Sequence, residues 1–390
     1  MKTALVWIDW LRSALLLALA AQASAAVGGP VEGRGPVTVY VGTYTDGSSR
    51  GIYRFAFDPE TGATGTPSLA VETKNPSFLA LHPTGRFLYA VGELPSSEGG
   101  GSGVVSAFSI DPGTGDLRLI NQQSSEGAGP CHLVVDKAGR NVLVANYGGG
   151  TVAVLPVSED GSLKPASSIR AHQGSGPNAS RQAKPHAHGI YLDAAERFAF
   201  SPDLGTDRVF VYRFDASKGT LEPHGAAAVD PGSGPRHLAF HPSGRYAYAI
   251  NELVSTVTAF AYDAEQGALA PLQTVTTLPD GFSGTNSTAE VEVSPDGRIL
   301  YGSNRGHDSL AAFRIDASSG RLTPAGHVPV GGKTPRHFAI DPSGRWLLAG
   351  HQGSGTIAVL RLDPDSGMPG PVGPLVSIDK AVCLLPVPQR

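Results

Sequence analysis

A hairpin motif that recurs along this 390-residue chain constrains its fold more than any other sequence feature. One copy, GPRHLAFHPSGRYAYAINEL at residues 234–253, contains a strand, a Pro-Ser-Gly turn and a second strand. Six hairpins share the arginine of this turn, and those arginines are Arg86, Arg140, Arg197, Arg245, Arg298 and Arg345. They stand 47 to 57 residues apart, a repeat length typical of strand-rich propeller blades.

The sequence between the hairpins and at the chain ends completes the pattern. Each hairpin is followed by a third strand, a turn rich in Asp and Gly, and a short fourth strand. The segment that begins at Thr38 has the second half of a repeat without a first strand, and the tail at 376–387 is a lone strand. Together they make one composite blade that closes a ring and removes exposed sheet edges. We therefore predict an all-β, seven-bladed β-propeller with four antiparallel strands per blade.

Composition supports this fold and excludes one class of partner. The chain has 50 Gly, 31 Pro and only 16% charged residues, which favours short strands and turns over long helices. Its net charge is −4 and no run of Lys and Arg stands out, so we expect no nucleic-acid partner. The Gly-rich runs lack a following Gly-Lys-Ser/Thr, which argues against a phosphate-binding loop. We expect no organic cofactor.

The first 25 residues form a segment of a different kind. Lys2 and Arg12 precede the apolar run SALLLALAA, and Ala-Ser-Ala at 23–25 follows it, which is the pattern of a secretory signal peptide. A membrane anchor is the alternative, but the apolar run is about half of the roughly 20 residues that a spanning helix needs. We predict cleavage after residue 25, with no membrane span left, a flexible lead-in at 26–36 and a single propeller domain at 37–390. The mature protein would be periplasmic or secreted.

The chain has two cysteines, Cys131 and Cys383. An exported protein permits a disulfide, but two cysteines do not establish one, and the sequence favours two buried free thiols. The spacing matches neither a redox motif nor a zinc knuckle. The oligomeric state stays open.

Polar residues concentrate at one end of the predicted hairpins. When the repeats are aligned on the shared arginine, the positions nine before and seven after it lie near the same blade end, because the second strand returns alongside the first. Nine before the arginine stand Ser77, Cys131, His188, Arg236, Ala289 and Arg336; seven after it stand Glu93, Tyr147, Leu204, Glu252, Arg305 and Gln352. Six after it stand Gly92, Asn146, Asp203, Asn251, Asn304 and His351. The first strand of a propeller blade lines the central channel, so these ends crowd one channel mouth.

Charged side chains at such a mouth are costly unless they are paired or bind a ligand. A ligand site is one interpretation, and structural Arg-Glu pairing across blades is the other. His186 and His188 are two residues apart on one strand face and could hold a metal, but no third ligand is evident and we predict no metal site. By strict alternation along a strand, His237 and His337 would point to the opposite face and be structural.

Several segments resemble the lactonase family of seven-bladed propellers over nearly the whole mature chain. They are VYVGTYT at 39–45, PCHLVVD at 130–136, VLVANYGGGTVAVLPV at 142–157, PHAHGIYLD at 185–193 and GPRHLAFHPSGR at 234–245. The family includes bacterial propeller-type 6-phosphogluconolactonases and fungal carboxymuconate lactonizing enzymes. Family members that act on phosphorylated sugars are normally cytoplasmic. The predicted export of this chain therefore favours an unphosphorylated gluconolactone as substrate.

The resemblance implies a catalytic cluster of one His, two Arg and one Glu. Matched to the family motifs, these are His188 in HAH, Arg236 in GPRH, Glu252 in INEL and Arg305 in SNRG, and all four also occupy the aligned columns. Glu252 or His188 would activate water, while the two arginines would hold the carbonyl oxygen and the product carboxylate. Further substrate-binding candidates are Arg336, Gln352, Asn251, Asn304, His132 and Asn146.

Three functional hypotheses follow from the sequence. The first is hydrolysis of a small-molecule sugar δ-lactone by directly activated water, since no Gly-x-Ser-x-Gly nucleophile motif is present. The second is lactonization of a muconate-like diacid by the same cluster. The third is a non-catalytic exported propeller that binds a partner or a sugar acid, because one fold serves many functions.

Overall fold

A computed structural model describes residues 35–94 and 101–389, which form seven four-stranded antiparallel sheets. Blade 1 has β4 (Leu79–Leu81), β5 (Phe87–Gly92), β6 (Val104–Ile110) and β7 (Leu117–Ser124). Blade 2 has β8 (Pro130–Val135), β9 (Asn141–Asn146), β10 (Thr151–Pro156) and β11 (Ser168–Ala171). Blade 3 has β12 (Tyr191–Leu192), β13 (Phe198–Asp203), β14 (Arg208–Asp215) and β15 (Thr220–Ala228).

The second half of the chain repeats this arrangement. Blade 4 has β16 (Pro235–Phe240), β17 (Tyr246–Asn251), β18 (Thr256–Asp263) and β19 (Ala268–Thr276). Blade 5 has β20 (Ser287–Val293), β21 (Ile299–Arg305), β22 (Ser309–Ile315) and β23 (Leu322–Pro329). Blade 6 has β24 (Pro335–Ile340), β25 (Trp346–His351), β26 (Thr356–Leu362) and β27 (Pro369–Ser377). The closing blade has β1 (Val37–Thr43), β2 (Gly51–Phe57), β3 (Ser68–Glu72) and β28 (Ala381–Pro388).

The two chain termini close the ring, as predicted from the incomplete repeats. β28 is the innermost strand of the closing blade and pairs antiparallel with β1, from Val37 opposite Pro388 to Gly42 opposite Cys383. The inner strands of neighbouring blades also pack together, and β28 contacts both β24 and β4. The predicted all-β, seven-bladed propeller is therefore confirmed.

Apolar side chains fill the spaces between adjacent blades. One cluster joins blades 3 and 4 through Phe198, Phe200 and Phe260, all almost completely buried. At the seam between blade 6 and the closing blade, Trp346 packs edge-to-face against Phe57, with ring centroids 6.2 Å apart. Its indole Nε1 also donates a hydrogen bond to Pro59 O at 2.8 Å. The core is thus distributed between the sheets and holds the inner strands in a fixed ring.

The hairpin turns follow the chemistry expected of their sequence. In blade 6, Asp341 Oδ1 accepts hydrogen bonds from the backbone N–H groups of Arg345 and Trp346. Gly344, which lies between Asp341 and Arg345, has φ 70°, a left-handed conformation that glycine adopts without strain. The turn therefore brings the second strand back towards the channel mouth where the first one began.

β-Bulges near the start of several inner strands correct one expectation from the sequence. In β16, Pro235 pairs with Asn251 and His237 pairs with Ile250, so Arg236 is an extra residue without a partner on β17. Because a bulge breaks strict alternation, consecutive side chains can lie on the same side. His237 contacts the Arg236 guanidinium, and the same bulge in β24 precedes His337. The prediction that both histidines face away from the channel was wrong.

Both cysteines are buried and free, as the sequence favoured. The described residues contain no helix with the length and hydropathy that a membrane crossing requires. The predicted signal peptide and most of the lead-in fall on residues 1–34, outside the described part of the chain.

Candidate active site

The candidate active site is centred on the Glu252 carboxylate, which directly follows β17. Its Oε2 lies 2.9 Å from Arg305 Nη2 and 3.2 Å from Arg236 Nε. Its Oε1 accepts a hydrogen bond from Arg181 Nη2 at 2.7 Å. The Glu252 side chain is only 7% exposed, so one buried carboxylate binds three guanidinium groups. Arg236, Glu252 and Arg305, which the repeat alignment placed at one channel mouth, therefore do lie together in the structure.

The guanidinium groups control the charge of this carboxylate. Burial by itself raises the pKa of Glu252, but Arg305, Arg236 and Arg181 outweigh it and lower the pKa to about 2. Glu252 is consequently ionised throughout the physiological range. The cluster carries one negative and three positive charges, a net positive environment that favours an anion.

His188 completes the predicted four-residue cluster. It precedes β12, and its backbone N–H donates to Pro202 O at 3.0 Å. Its Nε2 lies 3.9 Å from Glu252 Oε2, and its Nδ1 lies 3.7 Å from Cys131 Sγ. Burial, and then the charge of Arg236, hold the pKa of His188 well below 6.5. The imidazole is therefore neutral at physiological pH and can accept a proton.

A second group of polar contacts, outside the Glu252 cluster, holds Arg236 in place. Arg236 Nη1 donates to Ala289 O at 2.9 Å and to His237 Nε2 at 3.0 Å. Since His237 Nε2 accepts, the proton is on Nδ1, which lies 3.0 Å from both carboxylate oxygens of Glu290. His337 Nε2 lies 3.3 Å from Glu290 Oε2. The chain from Glu290 through His237 to Arg236 fixes the orientation of the guanidinium.

A small cleft borders the Glu252 cluster, with which it shares Arg236. About 220 Å³ of empty space lies within it, part of which is open solvent. The lining residues are Tyr44, Ser77, Phe78, Glu93, Cys131, Arg236, His237, Arg336, His337 and Val382. Arg336, predicted as a substrate-binding residue, therefore lies at the cleft. It donates from Nη2 to Tyr44 Oη at 3.0 Å, and its guanidinium also lies over the Tyr44 ring, 5.4 Å from the centroid.

The other predicted binding residues lie outside the cleft lining. Asn146, Asn251 and Asn304 are completely buried, and their side-chain amides donate to hydroxyl or carbonyl groups of nearby loops and strands. His132 is buried below the cleft, with its ring 4.2 Å from that of Phe78. Gln352 is half-buried directly after β25, where its backbone N–H donates to Thr334 O. None of these five residues lines the cleft, and the three asparagine amides bond to groups of the protein itself.

The two histidines of the HAH motif have different surroundings. His186 stacks on Tyr147, with ring centroids 4.4 Å apart, and its Nδ1 lies 2.9 Å from Tyr147 O. His188 instead faces Cys131 and Glu252. Across residues 35–94 and 101–389, no group of three or more His, Cys, Asp or Glu side chains has a metal-binding arrangement.

Sequence reasoning missed three residues of the site or its support and assigned a fourth, His237, to the wrong face. Arg181 lies in the long connection between β11 and β12, which has no counterpart in the repeat alignment. Tyr44 follows β1 in the composite blade, whose first half was absent from that alignment. Glu290 stands one position after an aligned alanine, and His237 one after Arg236. Allowing a bulge at each first strand would have brought Glu290 and His237 into consideration.

Comparison with known proteins identifies the family of this propeller. A family model described as Lactonase, 7-bladed beta-propeller, matches residues 38–386. The chain belongs to this lactonase family. A 6-phosphogluconolactonase from Bacillus subtilis is 40% identical over 299 residues, which cover 77% of this chain and 83% of that protein. Another 6-phosphogluconolactonase, from Formosa agariphila, is 37% identical over 309 residues, or 77% and 86% of the two chains.

A solved lactonase-family structure is also similar to this propeller. The periplasmic gluconolactonase of Pseudomonas aeruginosa superposes with a TM-score of 0.85 at 36% sequence identity. The match covers 90% of this chain and 99% of that one. At this coverage the family relationship extends over the entire ring of blades.

Proposed function

We propose that this chain is an exported lactonase that hydrolyses a sugar δ-lactone of the gluconolactone type. The observation that carries the proposal is the buried cluster in which Arg236 and Arg305 surround Glu252. Within the described residues, Arg305 Nε is buried without a hydrogen-bond partner, whereas Arg236 Nε lies 3.2 Å from Glu252 Oε2. An unused charged donor beside a second guanidinium in a buried site is suited to an oxyanion, which is the species that ester hydrolysis must stabilise.

The reaction follows from the chemistry of these groups. Water adds to the lactone carbonyl carbon, and negative charge develops on the carbonyl oxygen. Arg236 and Arg305 stabilise that charge. The ring C–O bond then breaks, the departing ring oxygen takes a proton, and the product is an open-chain hydroxy acid. The carboxylate of this product interacts favourably with the positively charged cluster until the product is released.

His188 is better suited than Glu252 to be the base. Both oxygens of the Glu252 carboxylate contact guanidinium groups, and these contacts disfavour its protonation. The neutral His188 imidazole can take the proton of the attacking water, and the Glu252 carboxylate at 3.9 Å stabilises the imidazolium that results. The same imidazolium can then protonate the ring oxygen. Glu252 thus acts as the fixed counter-charge for the histidine and the arginines.

The first experiment is acid release from glucono-1,5-lactone, followed in a pH-stat with spontaneous opening subtracted. His188→Asn should lower kcat by roughly 100-fold or more, because it removes the acid–base group. His224→Asn is the matched control, since His224 lies on β15 at the outer edge of blade 3. Equal rates for the two variants would contradict the assignment of His188. If the wild-type protein gives no rate above the spontaneous one, the gluconolactone proposal is wrong and a muconate-like diacid is tested by its ultraviolet absorbance.

Export is a separate part of the proposal. It is supported by the predicted signal peptide and by the relationship to a periplasmic gluconolactonase. Mass spectrometry of the protein recovered from the periplasmic or secreted fraction of an expressing bacterium should give a chain that begins at Ala26. A full-length chain retained in the cytoplasmic fraction would contradict export.

A further inference from the structure

The wall of the cleft beyond Arg236 contains one acidic side chain, Glu93, directly after β5. Its Oε2 accepts hydrogen bonds from Tyr44 Oη at 2.9 Å and from the Ser77 hydroxyl. Tyr44 in turn accepts from Arg336 Nη2. Four side chains from three blades are therefore joined in one chain of hydrogen bonds that ends on a carboxylate.

Only one oxygen of the Glu93 carboxylate takes part in these hydrogen bonds. Both hydrogen bonds reach Oε2, whereas Oε1 accepts none from the described residues. An ionised carboxylate has about four acceptor positions, so Oε1 retains the capacity to accept from a ligand. Glu93 is half-buried and lines the cleft, so a ligand in the cleft can approach its carboxylate.

We propose that Glu93 selects the substrate of this lactonase, accepting hydrogen bonds from sugar hydroxyls and excluding a sugar phosphate. The inference rests on the proposed lactonase function and names its substrate class. Hydroxyl groups donate hydrogen bonds to a carboxylate, whereas a phosphate ester is an anion that offers acceptors to a group that is itself an acceptor. Arg236 and Glu93 line the same cleft, so a lactone whose carbonyl lies at Arg236 can direct its hydroxyl groups towards Glu93.

The nearby cation does not reverse this preference. Arg336 already donates to the Tyr44 hydroxyl, and its guanidinium lies over the Tyr44 ring. Burial by itself lowers the pKa of Arg336, but Tyr44 and then Glu93 raise it, and together with the other neighbours they outweigh burial. The Glu93 carboxylate therefore helps to stabilise this guanidinium. A phosphate at Arg336 would therefore compete with the Glu93 carboxylate for this guanidinium. Repulsion between the two negative groups would disfavour the phosphorylated substrate.

The test compares kcat/KM for glucono-1,5-lactone and its 6-phosphate in the wild-type enzyme and in Glu93→Gln. The wild-type enzyme should prefer the unphosphorylated lactone. Glu93→Gln keeps the size of the side chain and removes its charge, so the preference should move towards the 6-phosphate by roughly tenfold or more, or about 1.4 kcal/mol. Glu159→Gln, which neutralises an exposed glutamate in the turn after β10, controls for the change in overall charge.

Each outcome has a defined meaning. A wild-type preference for the 6-phosphate overturns the inference without any variant, even if Glu93→Gln does not fold. A folded Glu93→Gln protein that loses activity equally on both substrates also overturns it, because Glu93 would then be only a structural or general binding group. If the wild-type enzyme hydrolyses neither lactone, it is the proposed function that fails.

Discussion

The charge cluster around Glu252 makes a quantitative prediction about stability. Its neighbours lower the pKa of this side chain from 4.5 to about 2. At about 1.4 kcal/mol for each pH unit, the folded state is stabilised by about 3 kcal/mol when Glu252 is ionised. Glu252→Gln keeps the shape and removes the charge, so it should lower the free energy of unfolding at pH 7 by about that amount. The cost is in the range expected when one partner of a buried ion pair is removed.

The pH dependence of this loss has a definite sign. Because the folded-state pKa is below the unfolded value, the stabilisation is fully present above about pH 4.5 and disappears as the pH falls towards 2. The difference between wild type and Glu252→Gln should therefore be about 3 kcal/mol at pH 7 and close to zero near pH 2. Other carboxylates titrate in the same range, but they do so in both proteins.

Urea titration followed by tryptophan fluorescence measures the difference. Trp346 is the single tryptophan of the described residues, and it lies at the seam of the ring. Glu265→Gln is the control, because Glu265 is an exposed partner of Arg197 and its loss should change stability by less than about 1 kcal/mol. A Glu252→Gln effect as small as that of the control, or one that persists unchanged at pH 2, would refute the reasoning.

Three further predictions concern catalysis. Arg236→Lys should lower kcat by about 100-fold, because it removes the planar donor from the oxyanion, and a pH-stat rate close to wild type would contradict this role. Cys131→Ser should lower kcat by less than about tenfold, since burial raises the pKa of the thiol and it supplies no thiolate; a larger loss in a protein that melts normally would indicate a covalent intermediate. Glu290→Gln should reduce kcat more than it changes KM, because Glu290 orients Arg236 through His237, and partial recovery in Glu290→Asp distinguishes this positioning from a loss of folding.

Periodicity predicted the fold well because each blade repeats the same physical solution. The spacing of the turn arginines indicated the number of repeats, and the incomplete copies at the two ends predicted the pairing of β1 with β28. Alignment of the repeats also brought Arg236, Glu252 and Arg305 together, since equivalent strand ends meet at one channel mouth.

What alternation could not predict was the local departure from it. An extra residue in β16 places His237 beside Arg236, although neighbouring residues in a regular strand face opposite ways. The role of Arg181 was not predicted for another reason. It lies in a connection between strands whose path is set by tertiary contacts. The asparagines Asn146 and Asn251 occupied promising columns, yet their buried amides serve the connections between strands.

Ring closure by β28 has a consequence for when the enzyme becomes active during folding. The hydrogen bond from Arg336 to Tyr44 crosses the seam between blade 6 and the closing blade and joins residues 292 positions apart. Until β28 pairs with β1, the seam cannot close and that side of the cleft cannot form. Such long-range pairing is slow to form. Trp346 emission in a refolding experiment would report the closing of the seam, and the first turnover of substrate should coincide with that signal.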